Sequence, residues 1–213
     1  RIAGFTPLSV SGAAAGPDLR KTAEDPTGTL VLGTLNNCAG GTTPWGTVLS
    51  GEENFNQYFR GTGAAEERRY GIGLGGTSRG WELHYDRFNL NNAGYANEAN
   101  RFGWIVEVDP EDPTSTPVKH TALGRFKHEA GTVAISSSGH AVVYMGDDEV
   151  NDYVYKFVSS AKYREGDKAH NMRLLEDGTL YVARYSGNSP QAEITGNGAL
   201  PSDGAFDGSG EWI

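Results

Sequence analysis

The sequence predicts an all-β chain, and three observations lead there. Short runs rich in β-branched and aromatic residues recur along it, separated by clusters of Gly, Asn, Asp and Ser. No long stretch repeats apolar residues at i, i+3, i+4 and i+7, so helical periodicity is poor. Gly supplies 30 of the 213 residues and Pro 9, which makes turns frequent.

The elements follow in order. "GTLVLGTLNN" (28–37) is β-branched-rich and flanked by glycine, and "WGTVLSGEEN" (45–54) alternates before ending in a polar cluster. Between them, "NNCAGGTT" reads as a glycine-rich strand headed by a cysteine. Residues 55–100 are irregular, with a short helix at 63–69. "GWIVEVDP" (103–110) is an alternating strand stopped by Asp-Pro, and "GTVAIS" (131–136) and "HAVVYMGDDE" (140–149) form a hairpin through "SSSG". "DYVYKFVS" (152–159) is a third strand in succession, and "GTLYVARY" (178–185) follows an "EDG" turn. Short strands at regular spacing fit a sandwich or a propeller. Residues 102–158 have the size of one propeller blade, and about four blades would fit the length. The reading is a single domain over 1–213, with no separate second domain.

Bulk properties narrow the function. The net charge is −9, which excludes nucleic acid as a natural partner, because phosphate backbones call for clustered Lys and Arg. One cysteine cannot form an internal disulfide. No run approaches the roughly 20 apolar residues of a membrane span. The chain starts with Arg and ends at "GEWI", which suggests a piece of a longer protein.

Three acidic clusters sit at strand ends: Glu52-Glu53-Asn54, Glu129 in "FKHEAG", and Asp147-Asp148-Glu149. Taken singly, such acids are usually solvated. Adjacent acids on a strand face opposite ways, so at most one of Glu52 and Glu53 points inward. Glu129 lies among small residues and would be partly buried, where a carboxylate needs a partner. A cation shared by Glu53, Glu129 and Asp148 would supply one. Oxygen ligands alone suit calcium or magnesium, and a thiolate turns the preference toward iron, zinc or copper. Other motifs carry less. "GTSRG" (76–80) lacks the strand and helix that a Ser78 nucleophile elbow needs, and "GIGLGG" (71–76) has no βαβ unit around it. "HEAGT" is not a zinc-protease H-E-x-x-H, and Asp203 and Asp207 in "SDGAFDGSG" lack the spacing of a calcium-binding loop.

"GTLNNCAGGTTPWGTVLSGEEN" (33–54), "GRFKHEAG" (124–131) and "YMGDDEVNDYVYKFVS" (144–159), in that order, resemble the PhoX-type alkaline phosphatases. The resemblance implies a six-bladed β-propeller, here an incomplete set of blades. It implies hydrolysis of phosphate monoesters by a cluster of ferric iron (Fe3+) and calcium (Ca2+), with a metal-bound oxo or hydroxide as nucleophile. It further implies twin-arginine export to the periplasm or beyond, small phosphorylated substrates, and a monomer at full length. Position by position, Cys38 matches the iron-binding cysteine, Glu53 the bridging glutamate and Glu129 the glutamate of the "KHE" motif. Glu53 and Glu129 are thereby the catalytic candidates. Asp148 matches the calcium ligand of "GDDE", with Asp147 and Glu149 as further metal candidates. A later Arg-Pro-Glu-Trp motif of the family, which gives another metal-binding glutamate and a phosphate-binding arginine, is absent; "GSGEWI" does not match it. The expectation is therefore an incomplete site in this piece alone. A non-catalytic metal-binding propeller and a phosphodiesterase using the same cluster are the competing functions.

Overall fold

A computed structural model of the chain describes residues 2–187 and 208–213. Eleven strands are found among them: β1 (Pro7–Ser11), β2 (Leu30–Leu32), β3 (Asn37–Thr42), β4 (Val48–Glu52), β5 (Ile105–Val108), β6 (Val118–His120), β7 (His128–Ile135), β8 (His140–Asp147), β9 (Val154–Lys162), β10 (Gly178–Gly187) and β11 (Gly208–Trp212). Two α-helices are short, α1 (Ala65–Arg69) and α2 (Lys168–Asn171). The strands build two sheets, in the orders β2-β1-β6-β5-β4-β3 and β11-β10-β9-β8-β7. The pairing is antiparallel throughout except between β1 and β6. The chain is thus all-β, as the turn-rich pattern requires. No helix among the described residues is long and apolar enough to cross a membrane.

The unit expected over 102–158 does not exist as one blade. β5 and β6 belong to the first sheet and β7, β8 and β9 to the second. The described residues form two sheets where about four blades were expected. Each sheet takes up more chain than a four-stranded blade, and residues 55–102 add no strand to either. "GTLVLGTLNN" is likewise not one strand: β2 covers only Leu30–Leu32, and of the rest only Asn37 enters β3. Gly33 takes a left-handed φ of 83°, and a Cβ there would lie 2.1 Å from the Gly4 carbonyl oxygen, so the chain breaks at that position. β1 and β6 escape the sequence reading because they are short, five and three residues. The α1 helix and the β7–β8 hairpin stand where the sequence placed them.

Two cores result. Trp45, Leu49 and Ile105 of the first sheet pack with Val143, Met145 and Phe157 of the second. Phe55, Phe59, Phe88 and Phe102 form the other core with Val10 and Val31. The irregular residues 55–102, a chain of 3₁₀ turns, thus bury aromatics rather than forming strands.

β5 does not alternate as expected, since Ile105, Val106 and Glu107 are all buried. β5 lies between β4 and β6, so the Glu107 carboxylate must find partners inside the protein. It accepts hydrogen bonds from Trp45 Nε1 at 2.8 Å and from the Thr47 hydroxyl, and meets His120 Nε2 at 2.6 Å.

Asp25 is a second internal carboxylate. It accepts from the backbone N–H groups of Thr27, Gly28 and Leu30, and from Arg101 Nη1 at 3.0 Å. Burial pushes its pKa up, but Thr27, Leu30 and Arg101 outweigh burial and bring it down to about 2. The folded protein therefore holds this group ionised where the unfolded chain protonates it. The resulting stability is full above about pH 4 and is lost as pH falls through 2. It is worth about 2 kcal/mol. Urea unfolding of wild type and Asp25→Asn should show a wild-type advantage at pH 6 that shrinks toward pH 2. An advantage independent of pH would remove the assignment.

Candidate metal centre

The site forms where the two sheets meet edge to edge. β3 ends the first sheet and β7 ends the second, and β7 packs on both β3 and β4. Glycine allows the approach. A Cβ at Gly41 would stand 2.4 Å from the Gly131 carbonyl oxygen, and one at Gly51 would stand 2.7 Å from His128 Cβ. Real Cβ contacts do not fall below 3.0 Å, so any side chain at either position would push the sheets apart. Gly41 of "CAGG" and Gly51 of "LSGE" thus let two distant segments share one site.

That approach brings together Cys38 at the head of β3, Glu53 just past β4, and Glu129 in β7. One donor atom from each lies within 4.8 Å of the others. The Cys38 Sγ stands 3.8 Å from Glu129 Oε1. The backbone is specialised on both sides. Asn36 and Ala130 both adopt left-handed φ, 48° and 61°, which a non-glycine residue takes only when its surroundings hold it there. Ala130 sits in the β-bulge that shifts the register between Glu129 and Thr132. Asn36 is braced by Arg79, whose Nη2 donates to Asn36 Oδ1 at 3.3 Å and to Gln57 Oε1 at 3.1 Å.

The two neighbouring glutamates divide the work. Glu52 is fully buried. Its Oε1 accepts from Lys119 Nζ at 2.7 Å and from the Leu35 N–H at 3.1 Å; its Oε2 accepts from the N–H groups of Gly103 and Trp104 at 3.0 and 3.2 Å. It therefore ties the loop before Cys38 to β4, to β6 through Lys119, and to the start of β5. Burial draws the Lys119 ammonium down to about 8 against the upward pull of Glu52. Glu53 faces the other way, as neighbours on extended chain must. Its N–H donates to the Asn36 carbonyl at 3.2 Å, which fixes it beside the cysteine loop.

The site's own charges repel. Burial raises the Glu53 pKa first, and the nearby Asp148 and Glu129 carboxylates raise it further, with the Cys38 contact pulling the other way. The Ala39 N–H lowers the Cys38 pKa, but Glu53, burial and Glu129 outweigh it, and the thiol ends above its ordinary value. A thiol and three carboxylates held this close are mutually destabilising as anions. A cation would relieve all four at once. The donor set fits a mixed site, with sulfur for a softer ion such as iron and carboxylate oxygens for calcium.

The other predicted residues divide. Asp148 lies near enough to raise the Glu53 pKa, but it is not one of the three residues whose donor atoms converge within 4.8 Å. Asp147 accepts from the N–H groups of Lys127 and Glu149, and Glu149 pairs with Lys127 Nζ, so these two hold the turn after β8. His128, beside Glu129, is buried with Nε2 on the Gly124 carbonyl at 2.9 Å; burial pushes its pKa down to about 3 and keeps it neutral. Ser78 is exposed in a loop that leads to a left-handed Gly80, with neither the strand nor the helix of a nucleophile elbow around it. Asp203 and Asp207 lie outside the described residues. Sequence reasoning missed Glu52 and Lys119 as the brace of the site. The doubled acid of "GEEN" was the available signal for Glu52, and nothing in "PVKHTAL" marks Lys119.

Comparison with known proteins agrees with these motifs. No curated protein matches the chain. Among solved structures, Pseudomonas fluorescens PhoX in complex with vanadate, a transition state analogue, is 48% identical with a TM-score of 0.84. The match covers 89% of this chain and 33% of that one, so the chain spans about a third of its solved relative. The family described as alkaline phosphatase PhoX matches residues 1–213, and the chain belongs to that family.

Proposed function

We propose that this chain supplies part of the catalytic metal centre of an exported phosphate-monoester hydrolase. One observation carries the proposal. Cys38, Glu53 and Glu129 come from three separate strand ends and present their donor atoms within 4.8 Å of one another, in a family whose solved member is named for its complex with a transition-state analogue. On this reading the two sheets are parts of a six-bladed propeller, and the cluster holds iron and calcium. The remaining ligands and the phosphate-binding arginine come from the rest of the full-length protein.

In that site Cys38 would hold iron through its thiolate. Glu53, within donor reach of both Cys38 and Glu129, would hold metal through its carboxylate, and Asp148 would add an oxygen ligand for calcium. The bound cations would supply Lewis-acid chemistry, neutralising the phosphoryl oxygens as charge develops on them. The chain's own part is to position. Glu52 holds Glu53 and the cysteine loop in register through its four hydrogen bonds, and Arg79 fixes the left-handed turn at Asn36. The glycine contacts between β3, β4 and β7 set how far apart the ligands lie.

Metal analysis of the full-length protein tests the reading, alongside hydrolysis of p-nitrophenyl phosphate. Iron and calcium should both be present. EGTA should abolish turnover and added calcium should restore it. Cys38→Ser should lose most of its iron and any visible absorption while the β-sheet circular dichroism stays in place. Unchanged iron in that variant would remove Cys38 from the ligand set. A metal-free protein with full activity would overturn the proposal.

A further inference from the structure

A second site lies away from the metal ligands. A cavity of about 590 Å³ is walled by Leu19, Ile72, Leu90 and Ala99 with two guanidinium groups, Arg20 and Arg125. That volume suits a small organic molecule, and an apolar wall with a few placed polar groups is the usual make-up of such sites.

The charges around it do not balance. Three buried carboxylates lie in this part of the core: Glu98 pairs with Arg87 and Arg101, Asp25 with Arg101, and Glu52 with Lys119. Arg20 and Arg125 have no carboxylate within ion-pair distance among the described residues. Arg125 spends its nitrogens on carbonyls, Nε on Phe102 at 2.9 Å and Nη2 on Ala99 at 2.8 Å, and stacks 3.9 Å over Tyr70. Arg20 has less. It is only 3% exposed, its guanidinium lies 4.1 Å over the Trp104 ring, and neither Nη1 nor Nη2 has a hydrogen-bond partner. A buried cation without an acceptor is costly to hold. Two carboxylates also line the cavity, and neither answers it. Glu67 is taken by the N–H groups of Thr62, Gly63 and Ala64, and Glu66 is exposed.

We infer that this cavity binds a small amphipathic organic anion, its carboxylate or comparable head on the free edge of Arg20 beside Arg125 and its apolar body along Leu19, Ile72 and Leu90. Planar guanidinium donors match a two-oxygen head, and the stacked Trp104 and Tyr70 hold the two arginines in place. This site does not depend on the metal centre or on its proposed chemistry.

The probes are octanoate and its uncharged counterpart octanamide, titrated into the full-length protein by calorimetry and by tryptophan fluorescence. Octanoate should bind one site about tenfold more tightly than octanamide, as a charge-assisted hydrogen bond provides. Arg20→Met should abolish that preference. Ala96→Trp, at an exposed position lining the cavity, should block both probes while leaving Arg20 in place. Equal affinity for the two probes overturns the inference, as does a preference that survives Arg20→Met. Failure of either probe to bind the full-length protein also overturns it, and would mean that polypeptide outside residues 1–213 fills the space.

Discussion

Glu53→Gln in the full-length protein should cost about 10³-fold or more in kcat/KM on a phosphate monoester, with the fold intact. The estimate follows from the proposed role. A carboxylate that holds the Lewis-acid cations stands behind several kcal/mol of transition-state stabilisation, and each 1.36 kcal/mol is tenfold in rate. With the metals stripped from both proteins, stability should change little or rise. Glu53 is crowded by burial and by the Asp148 and Glu129 carboxylates, and amidation removes one of the repelling charges. The pair of measurements is diagnostic: activity and metal content fall while the unfolding midpoint of the metal-stripped protein holds. Retained activity would place this ligand at another residue. A collapse of stability would show that Glu53 serves the fold instead.

Glu52→Ala should do the opposite, although the residue is the immediate neighbour. Removing this carboxylate leaves the Lys119 ammonium buried without its partner and strips the acceptor from the N–H groups of Leu35, Gly103 and Trp104. Breaking a buried ion pair from one side costs about 3–5 kcal/mol, a large part of the roughly 5–15 kcal/mol that holds a domain together. Denaturant unfolding should register that loss directly. The double variant Glu52→Leu/Lys119→Met removes both charges and should recover a good part of the stability, because an apolar pair of similar size fills the same space without desolvation. It should not recover full metal content, since the Leu35 N–H still lacks the acceptor that sets the cysteine loop. A double variant as unstable as Glu52→Ala would mean that the backbone hydrogen bonds, rather than the ion pair, carry the loss.

The contrast between these two residues marks how far the sequence reads. The doubled acid of "GEEN", the lone cysteine and the glutamate of "KHEAG" were visible as candidate ligands, and alternation along extended chain required Glu52 and Glu53 to face apart. What each faces was not visible. Glu52 turns toward Lys119, 67 residues away in sequence, and Cys38 and Glu129 meet across 91. Separations of that kind depend on which strand edges come together.

The sequence by itself determined the strand-forming segments, the turns between them and the residue types able to bind a metal, because these rest on local preference and on chemistry carried within a few residues. Only the tertiary structure decided that "GWIVEVDP" and "GTVAIS" fall in different sheets, that residues 55–102 bury a row of phenylalanines without forming a strand, and that Asp148 lies near Glu53 while Asp147 and Glu149 hold a turn. The physical reason lies in the contact between β3, β4 and β7. Glycine at 41 and 51 permits it, but which backbone those glycines must clear is fixed by packing, and that packing draws a thiol and two carboxylates from remote parts of the chain into one site.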